Sequence, residues 1–156
     1  MVVKRKLIAI LLIVLVASIG TVAAVYYETN IIPPSPPAGT DQMVLKFISS
    51  SMEPTIKEGS YILVDESINP ADLNTSYPKS DIIVFHDPLD LSELVASRII
   101  GTEVVNSTIY FLTKGDANGN PYPQTPQSGL DPWDSNSPPG VPQDLIVGKV
   151  INTNYK

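Results

Sequence analysis

This 156-residue chain predicts an all-β domain, and three observations carry that expectation. Short runs of β-branched and aromatic residues recur from Met43 onward, and compact turn signals separate them. No stretch of that region has the apolar spacing of an amphipathic helix. The architecture expected is a coiled antiparallel sheet or a barrel-like one.

One N-terminal transmembrane helix, residues 1–28, is expected to precede this domain. Lys4-Arg5-Lys6 is followed by a run without charge from Leu7 to Val25, closed by Tyr26, Tyr27 and Glu28. At about 1.5 Å per residue that run reaches roughly 28 Å, the hydrocarbon thickness of a bilayer. The cluster of cations places the N-terminus in the cytoplasm, and the two tyrosines suit the opposite interface. A single-pass protein of the cell membrane follows, with its β domain extracytoplasmic. The competing reading is a cleavable signal cut after Val22-Ala23-Ala24; against it, the uncharged run exceeds the usual apolar segment of about 7 to 15 residues.

Residues 29–42 form a spacer, in which Pro33-Pro34-Ser35-Pro36-Pro37 favours extended polyproline geometry. The domain proper is residues 43–156. Its expected strands are Met43–Ile48, Tyr61–Val64, Ile82–Phe85, Leu94–Val105, Thr108–Thr113 and Leu145–Ile151. Lys57-Glu58-Gly59, Asn69-Pro70, Asp87-Pro88 and Lys114-Gly115-Asp116 mark turns between them. An irregular loop is expected at 119–143, because Pro121 to Pro142 holds seven prolines among Asn, Ser, Gln and Gly.

All sixteen acidic residues lie at or beyond Glu28, against seven basic ones there. Such a surface excludes nucleic acid as a natural partner, since phosphate binding needs clustered Lys and Arg. With no cysteine, disulfides, thiol catalysis and thiolate metal sites are excluded, and one histidine makes a poor start for a transition-metal site. Asn74-Thr75-Ser76 and Asn106-Ser107-Thr108 are glycosylation sequons, of a kind that also arises by chance.

The stretch with most chemical content is Ser49-Ser50-Ser51-Met52-Glu53-Pro54-Thr55. A nucleophilic serine needs an exposed Oγ, a stiff backbone and nearby donors for an oxyanion, and this loop offers hydroxyls and a proline. Alone it reads as a turn, which is what most Ser-rich loops with a proline are. Four segments in order give it context: Ser51-Met52-Glu53-Pro54-Thr55, Ser80-Asp81-Ile82-Ile83-Val84-Phe85, Ser97-Arg98-Ile99-Ile100-Gly101 and Thr113-Lys114-Gly115-Asp116-Ala117-Asn118. Together these resemble signal peptidase I of the archaeal and endoplasmic-reticulum type, over most of residues 43–151. The resemblance implies a membrane-bound serine endopeptidase that removes N-terminal signal peptides from secreted precursors. Ser51 would be its nucleophile, with the Ser51 N–H and Ser49 hydroxyl forming the oxyanion hole. Asp116 matches the acidic motif. Partners so implied are the signal peptides, the lipid bilayer and the secretion translocon; no cofactor or metal is implied. Substrate would add as a β-strand, with shallow pockets for small side chains before the cut.

The chain departs from the family where the general base belongs. Relatives carry lysine or histidine just before the arginine of the third motif, and here that position is Ser97. Three readings stay open: another base, His86 or Lys114, takes the role; the chain is a catalytically impaired homologue that binds secretory segments or a partner peptidase; or Ser97 relays a proton to a neighbouring acid. The family's second aspartate falls to Asp131, which reads as that acid or as a loop residue. Trp133 reads as a loop anchor. A rival of another class is an anchored adhesion module on a Pro-rich stalk, which gives no reason for the Ser-Met-x-Pro-Thr and Lys-Gly-Asp pair.

Overall fold

Ile82-Ile83-Val84-Phe85 is buried on both sides, which only a strand inside a covered sheet can satisfy. A computed structural model describes residues 34–118, 131, 133 and 138–156. In it, β1 (Gln42–Lys46), β2 (Tyr61–Asp65), β3 (Ile82–Asp87), β4 (Asp90–Val105), β5 (Thr108–Lys114), β6 (Val141–Pro142) and β7 (Ile146–Tyr155) form one sheet. Every ladder is antiparallel and the order is β1-β2-β7-β3-β4-β5-β6. Among the described residues its regular structure is all-β apart from short 3-10 turns, such as Pro70–Asp72 and Gln143–Leu145. The sheet is open: β1 and β6 stand at its two ends, and among the described residues no ladder joins them. This corrects the barrel alternative.

Side-chain alternation along β3 divides the core in two. Ile82 and Val84 pack with Met52, Ile56, Ile62, Val64, Ala96 and Val150 on one face. Ile83 and Phe85 pack with Ile99, Phe111, Trp133 and Val141 on the other. Trp133 meets Phe85 edge-on, with ring centroids 5.2 Å apart. It anchors its loop to the sheet. Phe85→Ala is expected to lower stability by about 3–5 kcal/mol, measured by denaturant unfolding of the solubilised protein, because a fully buried ring leaves a cavity there.

Element boundaries differ from expectation in several places: the first strand ends at Lys46 rather than Ile48, and the third continues past Phe85 to Asp87. The fourth strand begins at Asp90, not Leu94, so β3 and β4 form a hairpin arm; its residues 90–94 are exposed and therefore carry no apolar pattern. The last strand continues to Tyr155, beyond Ile151. Inside the expected irregular loop, Val141–Pro142 pairs with Phe111 and Tyr110 as an edge strand, where a proline's missing N–H costs little. The β4–β5 turn holds Asn106 and Ser107 at φ 49° and 67°, two positive values in succession as a two-residue hairpin of this hand requires.

The anchor expected at 1–28 lies outside the described residues, as do 29–33 of the spacer and most of the loop at 119–143. Among the described residues no helix is long and apolar enough to cross a membrane. The end of the spacer is tied down, since Tyr155 Oη donates to Ser35 O at 3.0 Å.

Candidate active site

The loop between β1 and β2 carries Ser51, and its own sequence explains why it holds shape. Phe47 N donates to Ser60 O and Gly59 N to Phe47 O, closing the loop's base. Ile56 N returns to Met52 O at 3.0 Å, a single turn around the cis Glu53–Pro54 bond. Met52 and Ile56 are fully buried beneath it, so burial of two apolar side chains pins a polar segment. Ser49 and Ser51 satisfy each other: Ser51 N–H donates to Ser49 Oγ at 3.1 Å, and Ser49 Oγ donates to Ser51 Oγ at 3.1 Å. The two donors expected at an oxyanion hole thus meet in one short turn, and Ser49 must rotate to free them for a substrate.

The segment after β5 holds the other side of Ser51. Ala117 N donates to Ser51 O at 2.9 Å. Gly115 leaves room for that carbonyl, since a Cβ there would come within 2.5 Å of it. Asp116 N reaches Met52 Sδ at 3.4 Å, and the Asp116 carboxylate accepts from Thr55 Oγ1. The same carboxylate takes a two-pronged contact from Arg98, Nε to Oδ1 at 2.6 Å and Nη2 to Oδ2 at 2.7 Å. Arg98 Nη1 donates to Ser80 O. The hydrogen bonds to Asp116 raise the Arg98 pKa despite its part burial. Asp116 therefore braces the serine loop onto β4 through Thr55 and Arg98.

Ser97 follows the opposite geometry. Ala96 faces the core beneath Met52, so Ser97 points to the other face of β4, where it is only 2% exposed. Its Oγ donates to Asp131 Oδ2 at 2.6 Å, and Thr113 Oγ1 donates to the same oxygen at 2.8 Å. Trp133 Nε1 donates to Thr113 Oγ1 at 2.8 Å. Asp131 N donates to Thr113 O. Asp131 is thus no surface loop residue but a buried acceptor for position 97.

The structure therefore joins Ser49 to Ser51, joins Ser97 to Asp131, and sets Asp116 against the serine loop. Among the described residues Ser51 and Ser97 share no hydrogen bond. His86 is held elsewhere, its Nδ1 2.9 Å from Leu91 O on the hairpin arm. Lys114 is buried, directly across from Arg98, and immediately precedes Gly115. Thr55, Thr113 and Ser80 stood within the quoted motifs without a role of their own; hydroxyls inside strands and turns carry no pattern that marks their partners.

Beside the loop lies a groove of about 90 Å³, lined by Leu45, Phe47, Ile62, Val84, Leu94 and Ala96 among others. It would hold about three waters at ~30 Å³ each, or one small side chain. β1 borders it and has a free edge. Because Phe47 N bonds inward to Ser60 O, alternation turns the backbone groups of Val44 and Lys46 outward.

Comparison of the chain with family models, with curated proteins and with solved structures finds no match.

Proposed function

We propose that the chain is a membrane-anchored serine endopeptidase of the signal peptidase I type, with Ser51 as nucleophile. The observation that carries this reading is the continuity of three features: the open edge of β1, a groove sized for a small side chain, and the serine loop that follows two residues after Phe47. A peptide added along β1 would satisfy the outward groups of Val44 and Lys46 and lead its carbonyl toward Ser51. Asp116, Arg98 and Thr55 keep the loop in place while it reacts. The sequence resemblance and the uncharged run of Leu7–Val25 agree with a substrate that emerges from a membrane.

The test is cleavage of a secretory precursor by the full-length protein in detergent micelles, with the cut mapped by N-terminal sequencing of the product. Cleavage after alanine, and loss of cleavage when that alanine becomes phenylalanine, is the expected result. Indifference to that change removes the groove from the reading. Gly115→Ala is expected to lower the rate about 10²-fold, because displacing Ser51 by an ångström spoils the attack. Gly101→Ala should leave it unchanged, as a Cβ there meets only the Leu112 side chain, at 3.5 Å.

A catalytically impaired homologue that binds secretory segments is the second reading. Ser97 favours it, since a serine stands where relatives carry the base, while the β1 edge remains open for a peptide.

A further inference from the structure

We infer that Asn106, and not Asn74, is an acceptor for an N-linked oligosaccharide; the inference rests on the outward topology of the β domain in the reading above and not on its peptidase activity. Both residues open an Asn-x-Ser/Thr tripeptide in which x is not proline. A tripeptide alone decides little, because transfer of a sugar needs an accessible amide nitrogen with space around it. The fold gives these to one of the two.

Asn106 and Ser107 are the central residues of the β4–β5 hairpin, whose strands close on the pair Val105 and Thr108. Both are exposed, and among the described residues the Asn106 side chain has no hydrogen-bond partner. Its amide nitrogen stands in solvent. Thr108, which supplies the hydroxyl of the tripeptide, opens β5 beside it. Positive φ at both turn positions favours asparagine at 106 but glycine at 107, so turn chemistry accounts for only part of the tripeptide. The tip is also clear of the serine loop. Val105 lies seven residues along β4 from Arg98, which braces that loop, as much as roughly 23 Å at about 3.3 Å each.

Asn74 is bound through every polar group it has. Its Nδ2 donates to Lys79 O at 2.7 Å, and its Oδ1 accepts from Ser76 N at 2.9 Å. Its backbone N donates to Asp81 Oδ2 at 2.8 Å, and Asp81 N donates back to Asn74 O at 2.8 Å. Asp81 in turn pairs with Lys149 Nζ at 2.9 Å. Transfer to Asn74 would disturb the Lys79 contact within a loop fastened to β7. At Asn106 nothing has to open. As its Nδ2 bonds to C1 of the sugar, the C1–O bond to the donor, a polyprenyl diphosphate, breaks. The diphosphate leaves with the bonding pair and takes up one of the two amide protons.

The experiment expresses the full-length chain in a eukaryotic cell whose secretory lumen holds the oligosaccharide transferase. The parent is compared with Asn106→Gln, Thr108→Ala and Asn74→Gln, and with a parent carrying an added Asn-Gly-Thr tripeptide on a flexible tail after Lys156. Gel mobility before and after glycosidase treatment, with peptide mass spectrometry, reads occupancy at each asparagine, and a melting curve reports folding. The expected result is one glycan per parent chain, on Asn106, kept in Asn74→Gln and lost in both Asn106→Gln and Thr108→Ala. Thr108→Ala leaves Asn106 and Ser107 in the turn, so it separates acceptor from turn-former and decides if Asn106→Gln fails to fold. A glycosylated tail beside a bare Asn106 overturns the inference and leaves the outward topology standing. A glycan on Asn74 overturns the selection between the two. If the tail and Asn106 are both bare, the outward topology falls and the inference with it.

Discussion

Ser51→Ala is expected to abolish precursor cleavage, by about 10⁴-fold or more, with almost no change in stability. The asymmetry follows from the loop's construction. Its anchors are Met52 and Ile56, both fully buried, and the Asp116 contacts through Thr55 and Arg98. None of these uses the Ser51 hydroxyl, whose one hydrogen-bond partner among the described side chains is Ser49. Removing one partly exposed hydroxyl should move the unfolding free energy within about 0.5 kcal/mol. Ser49→Ala tests the companion role: loss of one oxyanion donor should lower the rate about 10²–10³-fold while substrate binding persists. Equal cleavage by Ser51→Ala and the parent would remove Ser51 from the mechanism.

Ser97→His is expected to raise cleavage by about 10²–10⁴-fold, the usual worth of a positioned general base. The carboxylate that would orient the imidazole is already present, as Asp131 Oδ2 lies 2.6 Å from Ser97 Oγ. The rate should then follow a group titrating near pH ~6.5, the ordinary range of histidine. A stability loss of about 1–3 kcal/mol should accompany the gain, because an imidazole must enter a site now filled by serine. A folded Ser97→His protein that cleaves no faster than the parent would favour the peptide-binding homologue.

These two substitutions separate the proposed nucleophile from the proposed base position because the fold supplies the two residues from different places. Ser51 belongs to a loop that packs on the Ile82, Val84 and Ala96 face, and its carbonyl lies at the end of β5. Ser97 belongs to the other face, among Thr113, Asp131 and Trp133. The motif order on which the resemblance rests implies one site for both, yet says nothing about the faces.

The sequence by itself determined where the chain extends and where it turns. Ile82–Phe85 reads as a doubly buried strand because four consecutive apolar residues leave no polar side. Asp87-Pro88 and Lys114-Gly115-Asp116 read as turns through local backbone preference. It also determined the serine loop, whose proline and hydroxyls act over a few residues. Tertiary structure alone decided the rest. β7 enters between β2 and β3, although it comes last in the chain, because buried area over the whole sheet selects that place. Val141–Pro142 becomes a strand only because β5 offers an edge. Asp131 meets Ser97 across 34 residues of chain, with Thr113 and Trp133 completing the contact. Periodicity reports which way a residue faces within its own segment; which carboxylate a buried hydroxyl meets depends on packing between segments, and no local pattern encodes it.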